Sequence, residues 1–478
     1  MNLYPSFPHP LLADPAYNRL KECLIAWTGL AYYTEKDREL ATRIAFRMTK
    51  VCLPDCASYL NFLQNGPQGQ NELDALIADL TIGETFFFRH QEMFDAIRNI
   101  VIPDVLARNR HSRRLRIWSA GCAIGAEPYS VAILLKRDFA HQLVGWDWTI
   151  VGTDINREFL ARAQEGIFDE WAFRNTPENV KQSCFAHVGK TMRINSEYRE
   201  RVSFQYHNLV THPSPALLNN LFAFDVILCR NVTIYFSAAI IRQLTERFHQ
   251  SLVEGGWLLV GHAEPNVESF QSFRTHNAPG AVLYQKTEVG GSKAEHTSIP
   301  LPGSWSPPSL VSPPAEAPQI QAIEELSLSV SEREPEVLVP APQSSDSSQL
   351  DSIRALADRG EWAKAAACCE ASLQRDKLNP RVHFYRALVL EQMGQLPEAE
   401  QAFRRVIYLD RSFVLGHYYL GLLLQKMGMS SPAARSFRNV LTFLARIDAE
   451  QVIVDGSGIH AGELQKRTEM HLKILEGA

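Results

Sequence analysis

Five short apolar runs between residues 114 and 262 restrict the possible folds of this chain more than any other feature. They read LRIWSAG, WTIVGTD, VSFQYHNL, FDVILCRN and GGWLLVGH, and longer stretches separate them. Runs rich in Val, Ile, Leu and Trp that alternate with helical stretches are typical of a mainly parallel sheet. Such a sheet is covered by helices on both faces, because both faces are apolar. The sequence therefore predicts an α/β fold that is doubly wound and Rossmann-like.

Charged and amide side chains follow the ends of these runs. In chain order they are Glu127, Asp154, Asn208 and the pair Arg230-Asn231. A turn that contains Gly121 and Gly125 precedes the first of them. Ligands of open α/β sheets bind at the carboxyl ends of the strands, where such side chains meet. We therefore predict one binding site at this edge of the sheet.

The residue types indicate which ligand the site would hold. Asp154 is placed to accept both hydroxyl groups of a ribose, and Glu127 could accept from an ammonium group. A nucleoside with an amino-acid tail fits both acceptors, and S-adenosylmethionine has that shape. A dinucleotide is the alternative, but GCAIGAEP lacks the third glycine of the dinucleotide fingerprint and places a carboxylate where a pyrophosphate would be repelled. An ordinary turn that binds nothing also fits the glycine pair taken alone.

Residues 1–90 predict a helical domain ahead of the sheet. Segments such as LKECLIAWTGLAYY and DRELATRIAFRMTKV space their apolar residues by three or four, and Pro54 and Gly66-Pro67 act as stops. The predicted cofactor-binding domain then spans residues 91–286. The Pro- and Ser-rich stretch at residues 287–348 has too little apolar pattern to bury a core, so it predicts a disordered linker.

After this linker the chain repeats itself with a period of 34 residues. Small residues keep this spacing: Gly360, Gly394, Gly428, Ala365, Ala399 and Ala433. The period is that of tetratricopeptide repeats, in which a small residue lets two helices approach each other. We predict that residues 349–478 form an all-α tetratricopeptide repeat domain that binds a protein or peptide partner.

Composition argues against several other classes of function. The net charge of −5, with both signs interspersed, gives no footprint for nucleic acid. No apolar stretch is long enough for a spanning helix and no secretion signal is recognised, so we expect a cytoplasmic protein without direct membrane insertion. The eight cysteines are not accompanied by histidines at metal-ligand spacing, so no metal site is predicted.

Five motifs extend this interpretation: TIGETFFFRH, WSAGCAIGAEPYS, GTDIN, FQYHNL and ILCRNVTIYF. Together and in this order they resemble the CheR family, the chemotaxis-type protein-glutamate O-methyltransferases. The resemblance covers about residues 15–286. With the attached repeats, the chain is similar to the branch of the family that is associated with surface sensing and biofilm formation.

The resemblance implies roles for residues at matching positions. Family members bind S-adenosylmethionine with residues that match Thr85, Arg89, Glu127, Asp154, Asn208, Leu209, Arg230 and Asn231. The tyrosine of the last motif, here Tyr235, lies near the transferring methyl group, so Arg89 and Tyr235 are the implied catalytic residues. Gly83 departs from the common Asn of the first motif, and Ala126 from the first member of a common Glu pair. Residues 168–206 correspond to a small antiparallel β insertion.

The implied activity is S-adenosylmethionine-dependent methyl transfer to glutamate side chains on the cytoplasmic domain of a membrane chemoreceptor. The repeat domain would guide the enzyme to the receptor or to a signalling complex. Two alternatives remain open at this point. One is a catalytically weak cofactor-binding scaffold that acts through its repeats, and the other is a methyltransferase of small molecules.

Overall fold

The computed structural model describes most of the chain, namely residues 9–265, 268–287, 345–449, 451–456 and 459–476. The predicted linker at residues 287–348 lies almost wholly outside the described residues, so its disorder stays a prediction. The repeat domain begins with a helix at Ser345, slightly ahead of the predicted boundary.

Four helices with one buried face each form the N-terminal part: α1 (Tyr17–Thr28), α2 (Asp37–Lys50), α3 (Cys56–Gln64) and α4 (Gly66–Leu80). Local sequence explains where they begin and end. Asp55 caps α3 by accepting a hydrogen bond from the Ser58 amide, and Gly29, with a φ of 78°, ends α1. The buried side chains of these helices form one apolar cluster, against which Tyr235 packs from the following domain.

Ten strands follow among the described residues: β1 (Arg114–Ala120), β2 (Asp147–Asp154), β3 (Ile167–Phe168), β4 (Phe185–Val188), β5 (Thr191–Ile194), β6 (Val202–Tyr206), β7 (Phe224–Cys229), β8 (Leu252–Val260), β9 (Phe273–Ala278) and β10 (Ala281–Lys286). Seven of them form one sheet in the order β6-β2-β1-β7-β8-β10-β9. The first five of these pair in parallel, and β10 pairs antiparallel with both β8 and β9. The predicted mainly parallel sheet is therefore confirmed.

Seven helices accompany the strands: α5 (Gln91–Ala96), α6 (Ile102–Arg108), α7 (Ala126–Asp138), α8 (Arg157–Glu165), α9 (Glu178–Cys184), α10 (Ser196–Arg199) and α11 (Ala238–Ser251). Neighbouring residues of β1 point to opposite faces of the sheet. Ile117 packs in a cluster that contains side chains of α5, α6 and α7, whereas Trp118 packs in a second cluster with Leu244 and Phe248 of α11. Both faces are covered, as a doubly wound fold requires.

The predicted β insertion is a three-stranded antiparallel sheet in the order β3-β5-β4. Its strands end at Ile194, and α10 follows. Residues 202–206, at the end of the range predicted for the insertion, instead form β6 at the edge of the main sheet, where they pair with β2. The insertion therefore ends before Val202, because Val202–Tyr206 is a strand of the main sheet that leads directly to Asn208.

The C-terminal part contains the predicted helix pairs. Its helices are α12 (Ser345–Asp358), α13 (Trp362–Arg375), α14 (Pro380–Gln392), α15 (Leu396–Leu409), α16 (Val414–Lys426), α17 (Ser430–Leu444) and α18 (Ala461–Glu476). Gly360, Gly394 and Gly428 each lie in the turn inside a pair, with φ values of 76°, 78° and 76°. This left-handed conformation favours glycine, which explains their 34-residue spacing. The alanines with the same spacing are fully buried in the shared core.

The repeat domain packs directly on the part of the chain that carries the main sheet, at the start of β1 and at the segment before β7, which the sequence did not predict. Leu217, Leu218 and Phe222, from the segment between β6 and β7, belong to the same apolar cluster as the buried side chains of the repeats. Arg114, at the start of β1, donates to the main-chain and side-chain oxygens of Gln392 at the end of α14 (2.6 and 2.9 Å). Within the part of the chain that the structure describes, none of the helices has the length and apolar character needed to cross a membrane.

Candidate functional site

One cavity lies beside the carboxyl ends of β1, β2, β6 and β7, with an empty volume of about 1100 Å³ when the open solvent at its mouth is included. All nine side chains singled out from the sequence line it: Thr85, Arg89, Glu127, Asp154, Asn208, Leu209, Arg230, Asn231 and Tyr235. The structure thus brings together residues from four strand ends and from the segment between α4 and α5. This arrangement is the one expected for a ligand site in an open parallel sheet.

The two glycines of the turn after β1 are required by close packing. Gly121 has a φ of 74°, and a Cβ atom there would lie 2.4 Å from Cγ2 of Val232. Gly125 has a φ of 88°, and a Cβ atom there would lie 2.9 Å from Cβ of Ala163. A side chain at either position would therefore clash with a neighbouring element as well as strain the backbone. Gly121 leaves the backbone beside the cavity free of a side chain.

Asp154 closes β2 and is tied to this turn. Its carboxylate oxygens accept the backbone amides of Ala123 and Asn156 at 2.9 Å each. A carboxylate has about four acceptor positions, so it retains capacity for two ligand hydroxyls. Burial raises the pKa of Asp154 from 3.8 to about 6, although the backbone hydrogen bonds act in the opposite direction.

Glu127 lies in the first turn of α7 and is held from two sides. Its Oε1 atom accepts a hydrogen bond from the Ser119 hydroxyl (2.7 Å), and its Oε2 atom pairs with the buried Arg230 guanidinium (3.0 Å). Arg230 also donates to the carbonyl oxygen of Arg89. This chain of contacts links β1, α7, β7 and the segment that carries Arg89. It fixes the position of a carboxylate that can accept a ligand ammonium group.

Asn208 and Leu209 follow β6 and form another wall of the cavity. The Asn208 side chain donates to the carbonyl oxygen of Trp27 in α1 (2.6 Å), so it joins the helical N-terminal part to the sheet. Its Oδ1 atom accepts the backbone amides of Val210 and Thr211 (2.9 and 3.3 Å). These contacts hold the turn that presents Asn208 and Leu209 to the cavity.

Thr85, Arg89 and Tyr235 lie on the side of the cavity formed with the N-terminal part. Arg89 donates to the carbonyl oxygen of Glu84 (2.8 Å), and among the described residues it has no carboxylate partner. Burial raises the pKa of Tyr235, while the nearby charge of Arg89 lowers it, with burial the larger cause. Tyr235 therefore keeps its phenolic proton at neutral pH and can donate it in a hydrogen bond.

Gly83 has a packing role that the motif alone did not indicate. A Cβ atom there would lie 2.4 Å from the Phe159 ring of α8. The ring occupies the space that a side chain at this position would need. The departure from the family's common Asn is therefore accommodated by Phe159, which lines the same cavity.

Sequence reasoning missed Glu264, which lies just after β8. It is buried, and its carboxylate accepts the backbone amides of Asn231, Val232 and Thr233 at 2.8 Å each. It also accepts the Gly261 amide and the Thr233 hydroxyl. Glu264 thus fixes the turn between Arg230 and Tyr235, in which Asn231 has a φ of 60°. The signal was present, because GGWLLVGHAEP places an acidic residue after a fifth predicted strand.

The donor and acceptor set fits S-adenosylmethionine. Asp154 offers a carboxylate beside a backbone turn that lacks a side chain at Gly121, as a ribose requires. Glu127 and Arg89, which has no carboxylate partner among the described residues, can face the ammonium and carboxylate groups of an amino-acid tail. The described residues therefore provide partners for both ends of this methyl donor.

Comparison with known proteins decides the family. A model described as CheR methyltransferase, SAM binding domain, matches residues 83–281. The chemotaxis protein methyltransferase of Borreliella burgdorferi is 33% identical to this chain over 239 residues, which cover 49% of this chain and 83% of that protein. The chain belongs to the CheR family. It is a methyltransferase, and S-adenosylmethionine is its methyl donor.

Two further CheR relatives differ in how far the similarity extends. Chemotaxis protein methyltransferase 2 of Vibrio cholerae is 29% identical over 283 residues, which cover 59% of this chain and 96% of that protein. The probable biofilm formation methyltransferase WspC of Pseudomonas aeruginosa is 26% identical over 397 residues, or 82% of this chain and 90% of that protein. The WspC similarity is too long to be confined to residues 1–286, so it continues into the C-terminal part.

Cofactor binding by this CheR protein is expected to weaken below pH about 6. Only the ionised Asp154 carboxylate can accept from two ribose hydroxyls, so binding below its pKa requires loss of a proton. The affinity should then fall by up to about tenfold per pH unit. Calorimetric titration with S-adenosylmethionine between pH 5 and 8 (roughly one unit or more on each side of the pKa) measures this dependence.

A control variant separates the titration of Asp154 from that of His90, the residue that follows Arg89 in the chain. The pKa of His90 is lowered by burial and by the Arg230 charge, and the φ of His90 is 68°. Asn tolerates that backbone conformation, so His90→Asn should keep both the fold and the pH dependence. An affinity that stays flat below pH 6 in the unsubstituted protein would contradict the assignment to Asp154. The stability of the protein without cofactor should change in the opposite direction. Its free energy of unfolding should rise as the pH falls from about 6 toward 3.8, because protonation of Asp154 removes the cost of burying its charge.

Proposed function

We propose that this protein transfers the methyl group of S-adenosylmethionine to glutamate side chains on the cytoplasmic domain of a membrane chemoreceptor. We place it in a chemosensory pathway related to surface sensing and biofilm formation. The observation that carries the proposal is a single cavity in which the acceptors for the cofactor, Asp154 and Glu127, lie together with Arg89 and Tyr235. The names of the CheR relatives, WspC among them, support the pathway.

The reaction needs little chemistry from the protein. S-adenosylmethionine supplies an electrophilic methyl group, and a glutamate with an ordinary pKa of about 4.3 is already ionised at neutral pH. No general base is required, which agrees with a site whose tyrosine remains protonated. The work of the protein is to align the carboxylate with the methyl group and to exclude water.

Two side chains near the mouth are suited to hold the substrate carboxylate. Arg89 has no carboxylate partner among the described residues, and its guanidinium can make a two-pronged contact either with the cofactor carboxylate or with an incoming glutamate. Tyr235 packs edge-on against Tyr32, with ring centroids 6.0 Å apart, which directs its ring without using its hydroxyl. In this proposal Tyr235 donates to the carboxylate and orients the oxygen that attacks.

The repeat domain supplies a second protein-binding surface in this proposal. The face formed by α14 and α16 is partly covered by the catalytic domain, as the contacts of Gln392 and Tyr419 indicate. A groove between α15, α16 and α17 remains open and is lined by Tyr408, Arg411 and Arg435. A protein or peptide partner that guides the enzyme to its signalling complex would find exposed side chains there.

Transfer of labelled methyl from S-adenosylmethionine to receptor-containing membranes tests the proposal. We expect label that is released as volatile methanol by base, and none when membranes lack the receptor. Tyr235→Phe is the matched variant, because it keeps the ring packing and removes only the hydroxyl. Its turnover should fall by about tenfold to a hundredfold, with unchanged cofactor affinity.

Other outcomes would replace the proposal. Label that appears only in small molecules would support the small-molecule methyltransferase. Cofactor binding by calorimetry without any label, in the presence of receptor, would support the catalytically weak scaffold. A Tyr235→Phe protein with full turnover would remove Tyr235 from the transfer step.

A further inference from the structure

A single segment joins the cofactor cavity to the repeat domain. We call residues 207–223, between β6 and β7, the connecting segment. Asn208 and Leu209 near its beginning line the cavity. Leu217, Leu218 and Phe222 near its end are buried in the apolar cluster of the repeats, at 5%, 5% and 1% exposure.

The beginning of the connecting segment is held by hydrogen bonds inside the catalytic domain. Arg247 of α11 donates to the carbonyl oxygens of Leu209 and Val210 at 3.0 Å each. The backbone amide of Asn208 donates to Nδ1 of His212 (3.3 Å), so the two ends of this turn are hydrogen-bonded to each other. These contacts tie the cavity wall at Asn208 to His212, four residues further along the connecting segment.

The end of the connecting segment is held from the repeat side. The Leu217 amide donates to the carboxylate of Asp358 at the end of α12 (2.7 Å). The hydroxyl of Tyr419, which is buried in α16, donates to the carbonyl oxygen of Leu218. The rings of Phe222 and Trp362 meet edge-on, with centroids 5.5 Å apart. Three repeat helices, α12, α13 and α16, thus contact this short stretch.

Within the catalytic domain, the same stretch is held by polar contacts and by Leu221, which is buried in the apolar cluster of the main sheet. Gln205 donates to the carbonyl oxygen of Asn219 (2.8 Å), and Arg116 donates to the carbonyl oxygen of Asn220 (3.0 Å). The apolar side chains Leu217 and Leu218 lie in the repeat cluster instead. Without the repeat domain they would face water, and the hydrophobic contribution to this conformation would be lost.

The last helix of the chain provides an independent link to the same turn. Charged groups of α18 act on His212, whose pKa is lowered mainly by burial and is influenced by Glu463 and Arg467. His212 is the residue that accepts the Asn208 amide. The repeat domain therefore approaches both the turn that carries Asn208 and the stretch that follows it.

We propose that the repeat domain is a positioning element of the cofactor site: it packs on the connecting segment and so holds Asn208 and Leu209 in the conformation that binds S-adenosylmethionine. Detachment of the repeat domain then weakens cofactor binding, although none of its residues touches the cavity. The repeats thereby affect the binding of S-adenosylmethionine, in addition to any role in recruiting a partner.

The test compares three variants of the full-length protein. Leu218→Asp places a charge in the interface, Leu218→Met conserves the volume of the side chain, and Tyr419→Phe removes one hydrogen bond. Leu378→Asp is the matched control, because it places the same charge at a leucine of the same domain that is 62% exposed. Amide hydrogen exchange of the connecting segment reports detachment, and calorimetry reports the dissociation constant of S-adenosylmethionine.

We expect Leu218→Asp to lose amide protection in the connecting segment and to bind the cofactor about tenfold more weakly. Tyr419→Phe should weaken binding by about twofold to fivefold, because a single hydrogen bond is lost. Leu218→Met and Leu378→Asp should retain the original affinity and protection. Circular dichroism checks that Leu218→Asp is still folded, through its helical content and its thermal transition. If Leu218→Asp does not fold, the comparison of Tyr419→Phe with the unsubstituted protein still tests the inference.

Two results would overturn the inference. Protection that is lost while the cofactor affinity stays the same would mean that the connecting segment does not transmit the contact. Protection that persists in both Leu218→Asp and Tyr419→Phe would mean that the repeats do not hold it. Since no methyl acceptor is present, failure of receptor methylation would leave these measurements unchanged.

Discussion

Exchange of Asp154 for asparagine should raise the dissociation constant of S-adenosylmethionine by about a hundredfold or more. The substitution removes the charge that accepts two ribose hydroxyls, and each such hydrogen bond contributes about 1.5–3 kcal/mol. A loss of about 3–6 kcal/mol corresponds to a factor of roughly 10² to 10⁴ in affinity. The new amide NH₂ group would also oppose one of the backbone amides of Ala123 and Asn156, which now donate to the carboxylate.

Asp225 provides a matched control for this experiment. It is also a buried aspartate at a strand end, and it accepts from the side chain of Asn109 and the amide of Arg116 (2.7 and 2.9 Å), away from the cavity. Asp225→Asn should lower the free energy of unfolding and leave cofactor affinity unchanged. Calorimetry and thermal unfolding of both variants separate the two effects. Equal affinities of the Asp154 variant and the unsubstituted protein would remove Asp154 from the binding site.

Replacement of Glu264 by alanine is expected to cause the largest loss of stability among substitutions near the site. Four backbone amides and the Thr233 hydroxyl would lose their common acceptor in a buried position. Because unsatisfied buried donors cost about 1–3 kcal/mol each and water can replace part of the loss, we expect about 3–5 kcal/mol. Turnover should fall as well, because the turn positions Arg230 and Tyr235.

A graded series makes this prediction specific. Glu264→Gln keeps one oxygen and should recover part of the stability, since one amide oxygen can still accept from Val232 and Thr233. Glu254→Ala removes an exposed carboxylate that pairs with Lys286 at 3.3 Å, and should change stability by about 0.5 kcal/mol or less. Denaturant unfolding of the three variants gives the comparison. A Glu264→Ala protein as stable as Glu254→Ala would show that the turn does not depend on this carboxylate.

The parts of the fold that could be predicted are those governed by local pattern. The strands before Asp154 and Arg230 are continuous apolar runs, and a parallel sheet brings the residues after such runs to one edge. That rule placed Glu127, Asp154 and Asn208 at one cavity without any distance information. The repeat helices were equally visible, because glycines at one fixed spacing mark the turn inside each pair.

The parts that escaped prediction depend on contacts between distant segments. Glu264 looked like an ordinary loop acid, because its four backbone donors come from a turn about thirty residues earlier and from Gly261. Gly83 could be identified only as a departure from the common Asn of the first motif, whereas in the structure it makes room for Phe159. Leu217 and Leu218 carried no mark of an interface, because two leucines in a loop are compatible with many environments.

The interface between the connecting segment and the repeats also sets an order of events during synthesis. Leu218 and Tyr419 are separated by 201 residues, so at about 5–20 residues per second the ribosome needs roughly 10–40 s to make the second after the first. During that interval the nascent catalytic domain presents uncovered leucines to the cell. The enzyme therefore completes its folding only after the last repeats have been synthesised. A chain that ends prematurely after the linker would expose these leucines and become a substrate for chaperones and proteases.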